Sequence, residues 1–252
     1  RTVRYPGGGP RPELKGELGD ESLRGYVRAA RRFFRWIQKR GILQVDLSAD
    51  IHPPRKPRRG KKGISEANAG AILAAAKDSP RDYAVLKFME TAGVRRGGVA
   101  NLLLSDLNLD AESDRLRRRI TVREKGDKER TVIVTGSGLQ AIVDWLAVRP
   151  KISDPHVFLG QRPGRPWYPL TEAGISAILR RYKVLLELDG PVSPHQWRHR
   201  FCRKRLQDGM NLKQVSQLAG HESITVTAEF YSEFAIDELQ DAYDEHYREG
   251  RD

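Results

Sequence analysis

The chain has 252 residues, 38% of them hydrophobic and 31% charged, with a formal net charge of +12. No apolar run reaches membrane-spanning length, so the composition is that of a globular chain with one or two cores and excludes a membrane span or a disordered polymer. The positive charge points to a polyanion partner, and the single cysteine, Cys202, excludes an internal disulfide and fits a reducing compartment, with the role of a small buried hydrophobe.

Residues 1–19 are rich in Gly and Pro, carry no secretory-signal pattern, and predict an extended arm. A helix is expected from Asp20 or Ser22 to Arg40, stopped by Gly41. Leu23, Tyr26, Val27, Ala30, Phe33, Phe34 and Ile37 recur at helical spacing and should face a core. Basic residues cover the rest, with Arg28, Arg31 and Arg35 as candidate DNA contacts; a solvated basic face is the plainer reading. Residues 20–51 are thus read as one small helical domain.

Residues 52–63 read His-Pro-Pro-Arg-Lys-Pro-Arg-Arg-Gly-Lys-Lys-Gly, which suits neither a regular helix nor a central strand, because proline fixes φ and removes a donor. This is the domain boundary. Arg55, Lys56, Arg58, Arg59, Lys61 and Lys62 make it either a solvated linker, a targeting signal, or a strap along phosphates between two domains that clamp a duplex.

Residues 64–252 form the second domain. Ser65 caps a helix to about Lys77, and Ser79-Pro80 starts another that ends at Gly93. Leu116 to Glu124 and Arg130 to Thr135 are rich in β-formers and predict a hairpin, turning through Lys125-Gly126-Asp127-Lys128-Glu129. Helices are expected at 136–148, 171–188, 194–208, 212–219 and 235–248. The fold class is mainly α with a small β-sheet. No Cys/His cluster has zinc spacing, so no metal is expected.

Chemistry concentrates in a few places. His195 and Arg198 lie three apart near a helix start and share a face, while His199 projects elsewhere and is read as structural. His221 follows Gly220 at a helix C-terminus, and Tyr231 lies ten residues further on, beside Phe230. With Arg95 (neighbour Arg96) and the hairpin Lys125 (competitor Lys128), the set suits holding a phosphodiester, cancelling its charge and attacking it with a phenol.

The motifs together resemble the tyrosine recombinases of the phage integrase family. Thr91-Ala92-Gly93-Val94-Arg95 resembles the family's first arginine motif, and Glu124 to Arg130 resembles the hairpin with its catalytic lysine. His195-Gln196-Trp197-Arg198 and Leu218-Ala219-Gly220-His221 match its two histidine motifs, and Tyr231-Ser232-Glu233-Phe234 lies where the nucleophile is expected. The resemblance covers about residues 22–245 and implies a helical core-binding domain, here truncated, followed by a mixed α/β catalytic domain.

It implies Arg95, Lys125, His195, Arg198, His221 and Tyr231 as catalytic residues of a site-specific recombinase that forms a 3′-phosphotyrosyl intermediate. Neither ATP, metal nor other cofactor is implied. The expected partners are double-stranded DNA and further copies of the chain, a dimer on each site and a tetramer at synapsis, joined through the acidic C-terminal helix at 235–247. The implied setting is the cytoplasm of a prokaryote, serving the cell, a phage or a mobile element. Three positions after Arg95 the family usually carries an acid; here stands Gly98. Either another acid substitutes, Asp106 being the candidate, or the site is looser. A silent DNA-binding homologue and a type IB topoisomerase-like enzyme are the alternative readings, with a helix-turn-helix regulator more distant.

Overall fold

In a computed structural model the described residues are 19–54, 63–107, 117–124 and 128–231. The chain divides into two compact units, Arg1–Arg59 and Gly60–Asp252.

The first unit is built on α1 (Asp20–Lys39). The helix ends as expected: Gly41 takes φ +68, and the Gly41 and Ile42 amides donate back to Gln38 and Ile37 carbonyls. The chain then returns along the helix, where Arg24 Nε donates to the Pro54 carbonyl at 3.1 Å. The expected core face is a correction. Val27, Ala30, Phe34 and Ile37 are half-buried, but Leu23, Tyr26 and Phe33 are exposed. Among the described residues, one helix with a short irregular return segment is too little material to enclose a full apolar stripe. Arg28 and Arg35 are exposed and Arg31 is half-buried; Arg55, Lys56, Arg58, Arg59, Lys61 and Lys62 lie outside the described residues.

In the second unit, α2 (Glu66–Ala76) starts where the Ser65 hydroxyl accepts from the Asn68 amide at 3.2 Å. Proline opens α3 (Pro80–Ala92), and Gly93, at φ +59, closes it. The short α4 (Arg96–Ala100) and a 3-10 turn (Leu104–Leu107) lead to β1 (Arg117–Glu124). β2 (Lys128–Thr135) pairs with β1 antiparallel, with Val122 opposite Arg130 and Glu124 opposite Lys128. The second strand therefore begins two residues earlier than its β-formers suggested, because ladder pairing extends into the polar end of the hairpin.

Beyond it come α5 (Gly136–Val148), a two-residue pair β3 (Leu159–Gly160) with β4 (Tyr168–Pro169), and α6 (Glu172–Leu185). Then α7 (Pro194–Gln207), α8 (Leu212–Ala219) and α9 (Ile224–Tyr231) complete the described chain. The fold class is as expected, mainly α with a small sheet. The sequence did not announce α4, the 3-10 turn, β3–β4 or α9, each too short to show a periodicity. The helix expected at 235–248 lies outside the described residues. Among those residues no helix is long and apolar enough to cross a membrane.

The core gathers around α3, which packs on α5, α7 and β2. Phe88, Met89, Phe158, Ile142 and Trp197 are fully enclosed. α7 is pinned twice: Trp197 Nε1 donates to the Leu86 carbonyl at 3.1 Å, and Arg200 forks onto Glu66 (2.9 and 2.6 Å) and reaches Glu90 (2.6 Å). Gly93 is a tight joint between α3 and α7. A Cβ there would overlap the Phe201 ring of α7, in a backbone region that disfavours L side chains. Gly93→Ala should therefore destabilise the protein by about 3 kcal/mol, combining left-handed strain with overpacking, read as a lowered midpoint in urea unfolding.

Candidate active site

Three arginines converge on one helix end. The last carbonyls of a helix have no partner within it and carry the negative end of its dipole, so they suit cations. At the end of α8 three consecutive carbonyls are each taken by a different arginine. Arg130 Nη1 donates to Leu218 at 2.6 Å, Arg198 Nη2 donates to Ala219, and Arg95 Nη2 donates to Gly220 at 3.0 Å. Arg198 also reaches the end of α3, where Nη1 donates to the Gly93 carbonyl at 2.7 Å. Chain segments more than a hundred residues apart are thus locked around two helix C-termini.

Each guanidinium has five N–H donors, and the two bonds just named for Arg198 occupy only two of them. Arg198 is 3% exposed. Burial, then the Arg95 charge, pull it well below the ordinary guanidinium value, to about 9, which still leaves it cationic at neutral pH. Burial likewise lowers Arg130 to about 10. Arg96, the neighbour that competed with Arg95, pairs instead with the exposed Glu172 on the same cleft wall, Nε to Oε2 at 2.7 Å.

Both histidines belong to the same centre. His221 follows the left-handed Gly220 (φ +65), and its Nδ1 lies 2.7 Å from the hydroxyl of the buried Thr227 on α9. Burial, followed by the charges of Arg198, Arg95 and Arg130, pushes its pKa down to about 4. At neutral pH it is an uncharged imidazole, able to donate one proton or to accept one. His195 is exposed at the start of α7, after the Ser193 cap and Pro194. His199 is not turned elsewhere, as its spacing suggested: one turn along, it packs edge-on against His195 with ring centroids 4.1 Å apart. A separation of four residues returns nearly to the same helix face, which explains the correction.

Arg95, Arg198 and His195 line a cleft of about 1380 Å³ whose wall also carries Arg96, Arg123, Arg180 and Lys183. Such a basic concavity suits a nucleic-acid backbone. Tyr231 is the last described residue of α9, one turn beyond Thr227; its side chain, like that of Phe230, is not described. Lys125 lies outside the described residues, as does the side chain of Lys128. Cys202 is buried beside this centre, and burial raises its thiol to about 11, so it is un-ionised. Among the described residues no three His, Cys, Asp or Glu side chains gather as a metal set.

Sequence reasoning missed Glu124, Arg130 and Thr227. Glu124 accepts from Arg95 Nη1, from the Arg95 backbone amide at 3.3 Å, and from Arg130 Nη2 at 3.1 Å. Asp106, the expected stand-in acid, is committed elsewhere: it accepts from Arg123 Nη1 at 3.1 and 2.9 Å and from the Leu103 amide at 2.9 Å. The missed pair had a signal. Ile120, Val122 and Glu124 alternate onto one buried face of β1, and Arg130, Val132 and Val134 do so on β2, so each strand sets a charge at the end of its apolar row.

The sequence profile of the phage integrase family matches residues 62–236. The chain is 28% identical over 233 residues to the tyrosine recombinase XerC of Neisseria gonorrhoeae, spanning 90% of this chain and 73% of that one. It is 29% identical over 240 residues to XerC of Haemophilus ducreyi, spanning 93% and 75%. Among solved structures, the XerA recombinase superposes with a TM-score of 0.63 at 25% identity, over 91% of this chain and 76% of that one. The XerH recombinase, solved bound to its difH substrate after cleavage, superposes with a TM-score of 0.73 at 18% identity, over 90% and 67%, and speaks for the fold alone.

Proposed function

The chain belongs to the phage integrase family and is a site-specific tyrosine recombinase, and we propose that it breaks and rejoins double-stranded DNA through Arg95, Lys125, His195, Arg198, His221 and Tyr231. The observation that carries the assignment is the convergence of Arg95 and Arg198 on adjacent carbonyls at the end of α8, beside His221.

A phosphodiester entering the cleft brings two non-bridging oxygens whose negative charge grows as a nucleophile attacks. Arg95 and Arg198 meet those oxygens with charge-assisted hydrogen bonds from a preset geometry, so little reorganisation accompanies the attack. His195 supplies a further donor at the cleft wall. Tyr231 attacks phosphorus: its oxygen forms the new P–O bond, and its proton leaves to a neutral imidazole of the site, with the arginine charges around the phosphate favouring the phenolate. The bond to the 5′ oxygen of the next deoxyribose breaks, and that oxygen takes a proton from Lys125. The 3′-phosphotyrosyl link conserves the bond, so a 5′ hydroxyl from another strand reverses the steps and reseals the DNA.

The basic cleft supports duplex DNA as substrate. We place Arg28, Arg31, Arg35 and the basic residues of the 55–62 segment on phosphates flanking the cleaved bond. Assembly is proposed as a dimer on each site and a tetramer at synapsis through the C-terminal segment, in the cytoplasm of a prokaryotic host.

The test uses duplexes selected from a random library by binding, nicked so that a cut strand loses its leaving fragment. Incubated with the protein in EDTA, they should yield a covalent protein–DNA adduct on denaturing gels. A duplex that is bound tightly yet never yields an adduct would move the reading to a silent DNA-binding homologue.

A further inference from the structure

Glu124 sits at the crossing of the three arginines, and its side chain is only 5% exposed. A carboxylate enclosed to this degree is tolerated only where cations and N–H donors compensate it. Its partners are Arg95, through side chain and backbone, and Arg130; Arg198 Nη1 is 4.0 Å from its Oε1. Arg198, Arg95 and Arg130 repel one another, and the carboxylate among them offsets part of that repulsion.

The room for this side chain comes from α4. Gly98 is buried, and a Cβ built on it would lie 3.6 Å from Glu124 Cγ and 3.8 Å from Oε1, at ordinary contact. A longer side chain from position 98 would therefore enter the space that the Glu124 carboxylate holds. Asp106 cannot serve, because both its oxygens are occupied by Arg123 and the Leu103 amide.

We propose that Glu124 is the positioning residue of this recombinase, supplying from β1 the buttressing carboxylate that position 98 lacks. It holds Arg95 against the Gly220 carbonyl and so fixes the guanidinium that receives the phosphate. The proposal rests on the assignment of Arg95 and Arg198 to the phosphate.

The test compares the full chain with Glu124→Gln, Glu124→Ala and the transplant Gly98→Glu/Glu124→Ala, on the nicked duplexes described above. Duplex affinity, single-turnover cleavage and melting temperature are read for each. Both single variants should bind within about threefold of wild type but cleave about 100-fold more slowly, the loss expected when a phosphate-binding group is displaced by about 1 Å. The transplant should recover cleavage about tenfold over Glu124→Ala, because the carboxylate returns to the same space from the other side. A purely structural role predicts a fall in melting temperature without that recovery. Glu124→Gln keeps size and shape, so it remains informative if Glu124→Ala fails to fold. Cleavage by Glu124→Gln at the wild-type rate, or a transplant no faster than Glu124→Ala, overturns the proposal. A wild-type protein that forms no adduct overturns the assigned chemistry itself, and this proposal with it.

Discussion

Tyr231→Phe should abolish the covalent adduct while leaving DNA binding intact. Phenylalanine keeps the ring and removes the one oxygen that forms the new bond, so there is no weaker route to a phosphotyrosyl link. Cleavage should fall by about 10⁴-fold or more, equivalent to about 5.5 kcal/mol of barrier. The backbone argument for position 231 comes from α9. Thr227 is tied to His221 Nδ1 at 2.7 Å, and position 231 lies four residues later, on the same helix face. Position 230 is rotated by about 100° from it. The double variant Phe230→Tyr/Tyr231→Phe, which moves the phenol by one residue, should therefore stay inactive. An adduct in Tyr231→Phe would exclude it as nucleophile, and an active double variant would move the nucleophile to position 230.

The main elements were legible because their signals are local. Ser65, Pro80, Gly93, Pro194 and Gly220 each carry start or stop chemistry in one or two residues, and α2, α3, α7 and α8 end accordingly. The motif residues Arg95, His195, Arg198 and His221 were legible for the same reason. What holds them was not. The acceptors for Arg95, Arg198 and Arg130 are backbone carbonyls of Gly93, Leu218, Ala219 and Gly220, and a carbonyl has no residue signature.

Glu124 was hidden for another reason. A carboxylate expected at position 98 came instead from a strand 26 residues on, and only the register of β1 over α4 brings the two positions together. The α1 stripe failed oppositely: its period is helical, but period alone does not say whether enough material is present to cover the face. The pKa of His221 was equally out of reach. A histidine beside a glycine reads as ordinary until three arginines from distant segments surround it.

Arg198 is the second residue whose replacement should nearly stop the reaction, and its two variants separate charge from geometry. Arg198→Ala removes the fork from Gly93 and Ala219, leaving two helix-end carbonyls unpaired and Glu124 with one cation fewer. A stability loss of about 2–4 kcal/mol is expected, so slow cleavage by this variant mixes misfolding with chemistry. Arg198→Lys is the sharper probe. An ammonium keeps the charge but is a single compact donor group, and it cannot span two helix ends while presenting a planar pair of N–H groups to a phosphate. Duplex affinity should change by less than about threefold, because a +1 charge remains near the backbone. Single-turnover cleavage should fall by about 10²–10³-fold, within the range lost when one preorganised donor to a developing oxyanion is removed. If Arg198→Lys cleaves at the wild-type rate, the site needs only net charge, and the interlock at the end of α8 is a folding device rather than the mould for the transition state.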